Sequence, residues 1–552
     1  MIPRRTAVAI LAILAAAGCA SRRPEPRALP RHALTAVVRP EQRRIEVTGT
    51  MPVAAVDRAR SELRMALSPR LGDLTVEVLE PPISAGPAQV ARVPDAGGPR
   101  EAGERGNVKW IVTPTRPIPA GQPVILRFSC AGSGEAGFLY YVGPEVAFAS
   151  AWGDAWYPSV DSPAGDRTVA LTLHVPAGWT AATGAARQSS VQEEAQGTFR
   201  FAYPQATHAS FVAGPYTIQR HEGTVPISAY LLTPRDHSAT WLAGVDRMLN
   251  VLSAEFGDYP FGELTLAEVP RELATQAGFN AFSPAGMLVL NSRAFDAPDV
   301  KYLLEWLGHE LGHQWFPHSV TWDPPGFLYM EEALAEYGGQ RVVEGLAGPD
   351  AARRMRLSGF EYDPIYSADA YFRMVGQGVD EPLAMLGAGI NQRNLAYNKG
   401  SFVFSMLSRE LGREEFRRVL HELTSGRRFH TITWRAFTDA VTARAGRNLD
   451  WFFDQWLNRA GAPDLTLTWH QDGDVVRGII AQPAPYYGAR VEVGIRGAAS
   501  EQATHTVEVH GPTTDFSAVP GFRAAAVELD PDYQVLRWTP EFRALADGVK
   551  QH

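Results

Sequence analysis

Cysteine is scarce in this 552-residue chain, which has two, Cys19 and Cys130. Cys19 directly follows an N-terminal leader at a lipidation site, so Cys130 is the single free thiol expected of the body, and one thiol forms no internal disulfide. A stapled framework is thereby excluded. Cys130, inside the strand-like LRFSC, reads as a small buried hydrophobe. Long apolar runs are also missing. Beyond the leader none approaches the roughly 20 residues that a membrane-spanning helix needs. There is no surplus of positive charge: 52 Lys and Arg face 60 Asp and Glu, a net −8 that offers no footprint for nucleic acid. No repeat of the solenoid kind is present. The apolar fraction of 45% is ordinary for a globular protein, and single cores stop growing at roughly 250–300 residues, so several domains are expected.

The leader has the pattern of an export signal. Arg4 and Arg5 form a basic start, Ala7 to Ala17 a short apolar run, and Ala16-Ala17-Gly18-Cys19 resembles a bacterial lipoprotein cleavage box. Residues 1–18 are thus expected to be a lipoprotein signal peptide, with Cys19 the lipidated first residue of an exported, membrane-anchored protein facing the periplasm or the cell surface. Residues 19–30, rich in Pro and Arg, read as a tether.

From 31 to 222 the chain is strand-like. RRIEVTGT, LTVEVLE, VKWIVTP, PVILRFSC and VALTLHVP alternate apolar and polar residues between Gly/Pro clusters, which predicts an N-terminal β-sandwich domain. Residues 84–107, rich in Gly, Pro and Ala, read as a mobile surface loop. Near 223 the composition shifts. VPISAYLLTP, FGELTLAEVP and GMLVLN read as strands, and Thr240 to Phe256 as a helix stopped by Gly257. After residue 332 helices dominate to about 461. Thr433 and Asn448 are candidate N-caps, and Gly412 a candidate C-cap. From 464 to about 540 strands return, with a hairpin at Gln471-Asp472-Gly473-Asp474, predicting a small C-terminal β-sandwich in 464–552.

The chemistry concentrates between Glu305 and Tyr337. His309-Glu310-Leu311-Gly312-His313 is an HExxH pattern in a helix-compatible run with Leu303, Leu304, Leu307 and Leu311. Residues i and i+4 share a helix face, so both imidazoles reach one metal ion, with Glu310 placed to handle a water proton. The helix is expected to run from about 298 to 316. Eighteen residues after His313 comes Glu332, in a second helix-like stretch, Tyr329 to Tyr337, behind a turn holding Pro317, Pro324, Pro325 and Gly326. Two His and one Glu leave a tetrahedral zinc with one open corner, the catalytic rather than the structural pattern. A third His in HExxHxxGxxH spacing is excluded, because Phe316 and Ser319 stand where Gly and His are needed and His318 is one position early.

These segments resemble the zinc aminopeptidases of the aminopeptidase N and leukotriene hydrolase type, the gluzincins with HExxH-x18-E. The resemblance extends to Trp156-Tyr157-Pro158 followed by HVPAGWTAATG, to Glu255-Phe256-Gly257-Asp258-Tyr259-Pro260, to Ala396-Tyr397-Asn398-Lys399-Gly400, and to NLDWFFDQWLNRAGAP, spanning roughly 31–463. It implies a thermolysin-like α+β zinc catalytic domain over 223–463, one Zn2+ per chain held by His309, His313 and Glu332, and a peptide substrate. It also implies Glu310 as general base and Tyr397 as the hydroxyl that steadies the tetrahedral intermediate. The overall fold class expected is multidomain α+β.

One departure from the family's pattern bears on specificity. Its GxMEN strand carries a glutamate that holds the substrate's free amine, and the matching stretch here, Gln276, Ala277, Gly278, Phe279 and Asn280, has no carboxylate, with Phe279 near the Glu position. These five residues remain the candidate substrate contacts. Glu331 or Glu336 could replace that anion, support the histidines, or simply be solvated carboxylates of a helix surface. Three functions follow for test: an aminopeptidase, an endopeptidase or other hydrolase on the same zinc scaffold, and a non-catalytic peptide-binding lipoprotein.

Overall fold

The computed structural model describes residues 31–549 except 54, 56, 95–105, 152, 161–167, 206, 324–326, 361–366, 387–389 and 427. The leader, Cys19 and the tether lie outside the described residues, as do Pro324, Pro325 and Gly326.

An eight-stranded sheet forms the N-terminal part. Its central strands, Thr168–Pro176, Arg31–Arg39, Arg44–Val53 and Val124–Ser133, alternate buried and open positions as the sequence pattern requires. Leu34, Ala36 and Val38 turn inward from one strand, Ile45 and Val47 from the next, and Cys130 is buried beside them. Two four-stranded sheets share this core. Trp156 closes it, with its indole N–H donating to the Ala209 carbonyl at 3.0 Å and its ring edge-on to Phe211. The stretch expected as a loop after residue 84 instead contributes two edge strands, Gly86–Pro87 and Gln89–Arg92, the latter paired to Val108–Thr113. Its Gly and Pro content fits an edge, where a missing N–H leaves no ladder bond broken.

The catalytic part begins with a five-stranded sheet in the order Thr217–His221, Ile227–Leu231, Leu264–Val269, Met287–Asn291, Ala281–Phe282. Thr217–His221, which the composition shift near 223 leaves on the N-terminal side, is an outer strand of this sheet. The three inner strands pair in parallel and every residue in them is buried, as for a sheet covered on both faces. Helix Ser238–Phe256 covers one face, presenting Trp241, Val245, Met248, Leu252 and Phe256 along one stripe.

The helix carrying the paired histidines is shorter than the spacing suggests. It spans Leu304–Gly312, preceded by a 3-10 turn at Val300–Tyr302 whose Asp299 carboxylate accepts from the Lys301 N–H. Pro317 disfavours helical geometry at the residue before it, and the chain leaves the helix through tight turns at 313–316. His313 is the C-cap residue, with its N–H still bonded to the His309 carbonyl. The second helix is longer than expected, Phe327–Ala347. The two pack backbone to backbone: a Cβ on Gly312 would lie 2.9 Å from the Ala335 Cα, and one on Gly339 would lie 2.7 Å from the Glu305 carbonyl oxygen. Only glycine permits this approach, and the approach brings Glu332 to the histidines.

Helices follow to Leu457. Thr433 caps its helix by accepting from the Ala436 N–H, and Asn448 accepts from the Asp450 N–H at 2.6 Å, one residue ahead of its helix's formal cap. Two three-stranded sheets make the C-terminal part, and the hairpin at Gly473-Asp474 falls where the sequence puts it. A final helix, Pro540–Val549, lies within the stretch expected as a β-sandwich, stacking Phe542 on Phe372. One hydrophobic core runs continuously from Val225 through the helices to Phe542. The class is multidomain α+β.

Candidate active site

Three acceptor atoms converge between the paired helices. His309 Nε2 and His313 Nε2 lie 3.1 Å apart, and Glu332 Oε2 is 3.6 Å from the first and 3.3 Å from the second. The rings' other nitrogens are committed elsewhere. His313 Nδ1 donates to the Phe316 carbonyl at 2.9 Å, and His309 Nδ1 faces Glu336 Oε2 at 3.1 Å. Both Nε2 lone pairs and a carboxylate oxygen therefore point at one place, which is repulsive without a cation among them. Two imidazoles and a carboxylate suit zinc, and these ligand atoms all lie within 4.8 Å of one another.

The electrostatics agree. Burial pushes the Glu332 carboxyl up, but His313, His309 and Arg393 outweigh it and hold the pKa down to about 2. Arg393 Nε stands 3.9 Å from Glu332 Oε1. Burial and then the charge of His313 lower His309 to about 3. At His313 burial pulls the same way, but Glu332 and Glu310 prevail and raise it to about 9. A proton and a metal cation thus compete for one lone pair. Burial raises the Glu310 pKa, and the Ser283 hydroxyl donates to Glu310 Oε2.

Tyr397 lies on a widened turn of helix, Ala396–Gly400, with its ring 5.4 Å from that of His309. The turn is held from beneath. Lys399 is fully buried, donating from Nζ to the Arg459 carbonyl at 3.0 Å and lying 3.6 Å from Asp380 Oδ1. Asp380 Oδ2 accepts from the Tyr371 hydroxyl and the Gly461 N–H, and Asn398 accepts from the Ser367 N–H. Burial lowers the Lys399 pKa while Asp380 opposes that shift. Asp380→Asn should strand a buried ammonium and cost about 3–5 kcal/mol of stability. Denaturant unfolding checks this, and kcat is expected to fall with it as the Tyr397 turn loosens.

A cavity of about 460 Å3 opens over these groups. Its floor is His309, Glu310, His313 and Glu332. Arg393, Asn394 and Tyr397 line it too, as do Gly278 to Pro284 with Phe138 and Leu139. Of the five candidate substrate contacts, Gly278, Phe279 and Asn280 line the cavity. Gln276 ends the helix Arg271–Gln276, and Ala277 is buried with its carbonyl accepting from the Leu139 N–H; neither lines it. Phe279 is packed edge-on against Phe148 and Phe282. Glu331 and Glu336 are not solvated: they are 9% and 0% exposed, Glu336 backing His309 and Glu331 lining the cavity. Glu336 is buried where its helix packs on the one that carries His309. Arg393, one turn before Tyr397, was missed although i,i+4 spacing from Tyr397 points to it, whereas nothing in the sequence links Ser283 or Phe138 to the motif.

Residues 276–456 match the peptidase family M1 domain. Mouse aminopeptidase RNPEPL1 is 24% identical over 388 residues, covering 63% of this chain and 50% of its own length. Aminopeptidase N of Streptomyces lividans is 24% identical over 369 residues, 62% of this chain and 41% of its own. The chain thus spans half or less of the length of these relatives. Among solved structures, an M1 zinc metallopeptidase mutant of Deinococcus radiodurans bound to a Tyr-Ser-Ala substrate superposes with a TM-score of 0.58 at 19% identity, covering 78% of this chain and 94% of that one. Legionella pneumophila aminopeptidase A in complex with aspartic acid gives 0.70 at 15% identity, over 94% of this chain and 60% of that one. These two establish likeness of fold. The histidine pair, Glu332 and Tyr397 all lie inside the residues, 276–456, that match the peptidase family M1 domain.

Proposed function

We propose that this chain is a zinc metallopeptidase acting as an aminopeptidase on peptides. The observation that carries the reading is the convergence of His309, His313 and Glu332 on one point of a cavity that Glu310 and Tyr397 also line. Zinc held by those three would supply Lewis acidity toward the scissile carbonyl and make water acidic near pH 7. Glu310 takes the proton of the attacking water and returns it to the leaving amine. Its raised pKa makes it the stronger base, and the Ser283 hydroxyl fixes its carboxylate. The Tyr397 hydroxyl donates to the oxygen that gains charge as the carbonyl is attacked.

The substrate's free amine needs an anion, since a cation in a partly dry site is costly unpaired. Residues 275–281 offer none, and Glu331 is the cavity carboxylate left over once Glu310 and Glu332 have their roles. Cleavage of an aminoacyl reporter should exceed that of its N-acetylated twin, and Glu331→Gln should raise KM about tenfold or more for the first only. Equal cleavage of the two by the native chain would favour the second reading, an endopeptidase, which the absence of a carboxylate in 275–281 supports.

We also propose export with a lipid on Cys19, on the strength of the leader pattern. Among the described residues no helix is long and apolar enough to cross a membrane, so attachment would rest on that residue. Cys19→Ala should move the protein from the membrane to the soluble fraction; unchanged membrane retention would reject lipidation.

A further inference from the structure

A second polar cavity, of about 390 Å3, lies at the seam between the catalytic helices and the C-terminal sheets. Five guanidiniums line it: Arg341 from the Glu332 helix, Arg356 from Pro349–Ser358, Arg409 and Arg413 from the helices that follow, and Arg490 from strand Ala489–Arg496. Three carboxylates line it as well, Glu344, Glu492 and Asp532, and they do not satisfy the arginines. Glu344 pairs with Arg341 and lies 3.6 Å from Arg413, and Glu492 accepts from Arg409 at 3.0 Å. Arg356 spends its N–H groups on the carbonyls of Tyr533 and Asp532. The Nε atoms of Arg341 and Arg413 are buried without a hydrogen-bond partner among the described residues. Burial, and then the charge of Arg341, lowers the Arg356 pKa, which reflects cations crowded together. The larger cavity nearby, of about 660 Å3, mixes Arg353, Arg373 and Arg537 with four carboxylates and so selects no sign of charge.

We propose that the seam cavity binds an oxyanion of the phosphate class and that the bound ion ties the C-terminal sheets to the helix carrying Glu332. Guanidinium forks match the oxygens of such an ion two at a time, and an acceptor there would satisfy the two buried N–H groups. Arg341 and Glu344 sit about two and a half and just over three turns beyond Glu332 on one helix, so the ion braces the element that positions the proposed metal ligand.

The test is thermal unfolding of the full, zinc-loaded chain titrated with inorganic phosphate and pyrophosphate, against sodium chloride of equal ionic strength. A saturable rise in Tm specific to the oxyanions is expected. Arg341→Gln with Arg413→Gln should weaken the apparent Kd about a hundredfold or more, each lost charge-assisted bond being worth about tenfold or more. Arg490→Gln, at an exposed position, should weaken it in the same direction. Phosphate can also meet zinc, so the titration is repeated on protein stripped with neutral phenanthroline, where the rise should persist. Vesicles of phosphatidylglycerol, added to Cys19→Ala protein, separate the sources: binding competed by phosphate assigns a lipid headgroup, and its absence beside a phosphate-dependent rise assigns the free ion. No rise beyond chloride, an equal rise in the Arg490→Gln chain, or loss of the rise with the metal would each overturn the proposal.

Discussion

Glu310→Gln should lower kcat for peptide hydrolysis by about 10²–10⁴-fold while the protein still carries one zinc. The two halves of this expectation have separate causes. Glu310 stands between the ligating histidines in sequence, yet the atoms that converge belong to His309, His313 and Glu332, so the substitution leaves the ligand set intact. Glutamine matches glutamate in shape and keeps an oxygen for the Ser283 hydroxyl, so the cavity wall holds its place. What disappears is the basic oxygen. Burial raises the Glu310 pKa, which makes its ionised form a better proton acceptor than an exposed carboxylate would be. Glu332 does not substitute: it is turned to the imidazoles and its pKa is held to about 2, which makes it a poor base. Metal analysis beside steady-state kinetics checks both halves. Undiminished turnover would remove Glu310 as the base, and lost zinc would show it to be a ligand.

The parts of this site that were legible in the sequence are those set by local geometry. His309 and His313 had to share a helix face because four residues make about one turn, and the structure puts their Nε2 atoms 3.1 Å apart. Glu332 could be placed because it lies on a helix separated from the first by a turn rich in proline. The exact length of the histidine helix was not legible, since packing and the turn before Pro317 decide where it frays, not the apolar spacing. The C-terminal helix, Pro540–Val549, was missed for a related reason: ten residues with a narrow apolar stripe owe their helix to Phe372 and Trp538 rather than to intrinsic preference. Tyr397 was found through resemblance, as the support of its turn comes from Asp380 and Arg459, which no local pattern connects to it. The lining from the N-terminal part is the extreme case. Phe138 and Leu139 arrive from a turn just before strand Tyr140–Val142, well over a hundred residues away, so the shape of the cavity is a property of tertiary assembly.

Removing Glu332, the proposed third ligand, should have the largest effect of all. Glu332→Ala is expected to abolish hydrolysis and leave well under one zinc per chain after dialysis. The change deletes an anion and one coordinate bond at once, and two imidazoles alone hold zinc weakly. The outer partner should show a graded version: Glu336→Gln weakens the hold on His309 Nδ1 and is expected to cost about 10–100-fold in metal affinity. Stability follows the same order, because a metal that binds only the folded chain adds about 2.7 kcal/mol at 100 times its Kd and about 4.1 kcal/mol at 1,000 times. Native protein stripped of metal should therefore unfold at a lower temperature and recover on adding zinc. Glu332→Ala should unfold like the stripped protein and gain little from zinc. Glu310→Gln separates the two effects, since it should recover stability with zinc but not activity. If Glu332→Ala kept full zinc and full turnover, the carboxylate 3.3 Å from His313 would be a neighbour of the metal site and not part of it, and another group would have to complete the set.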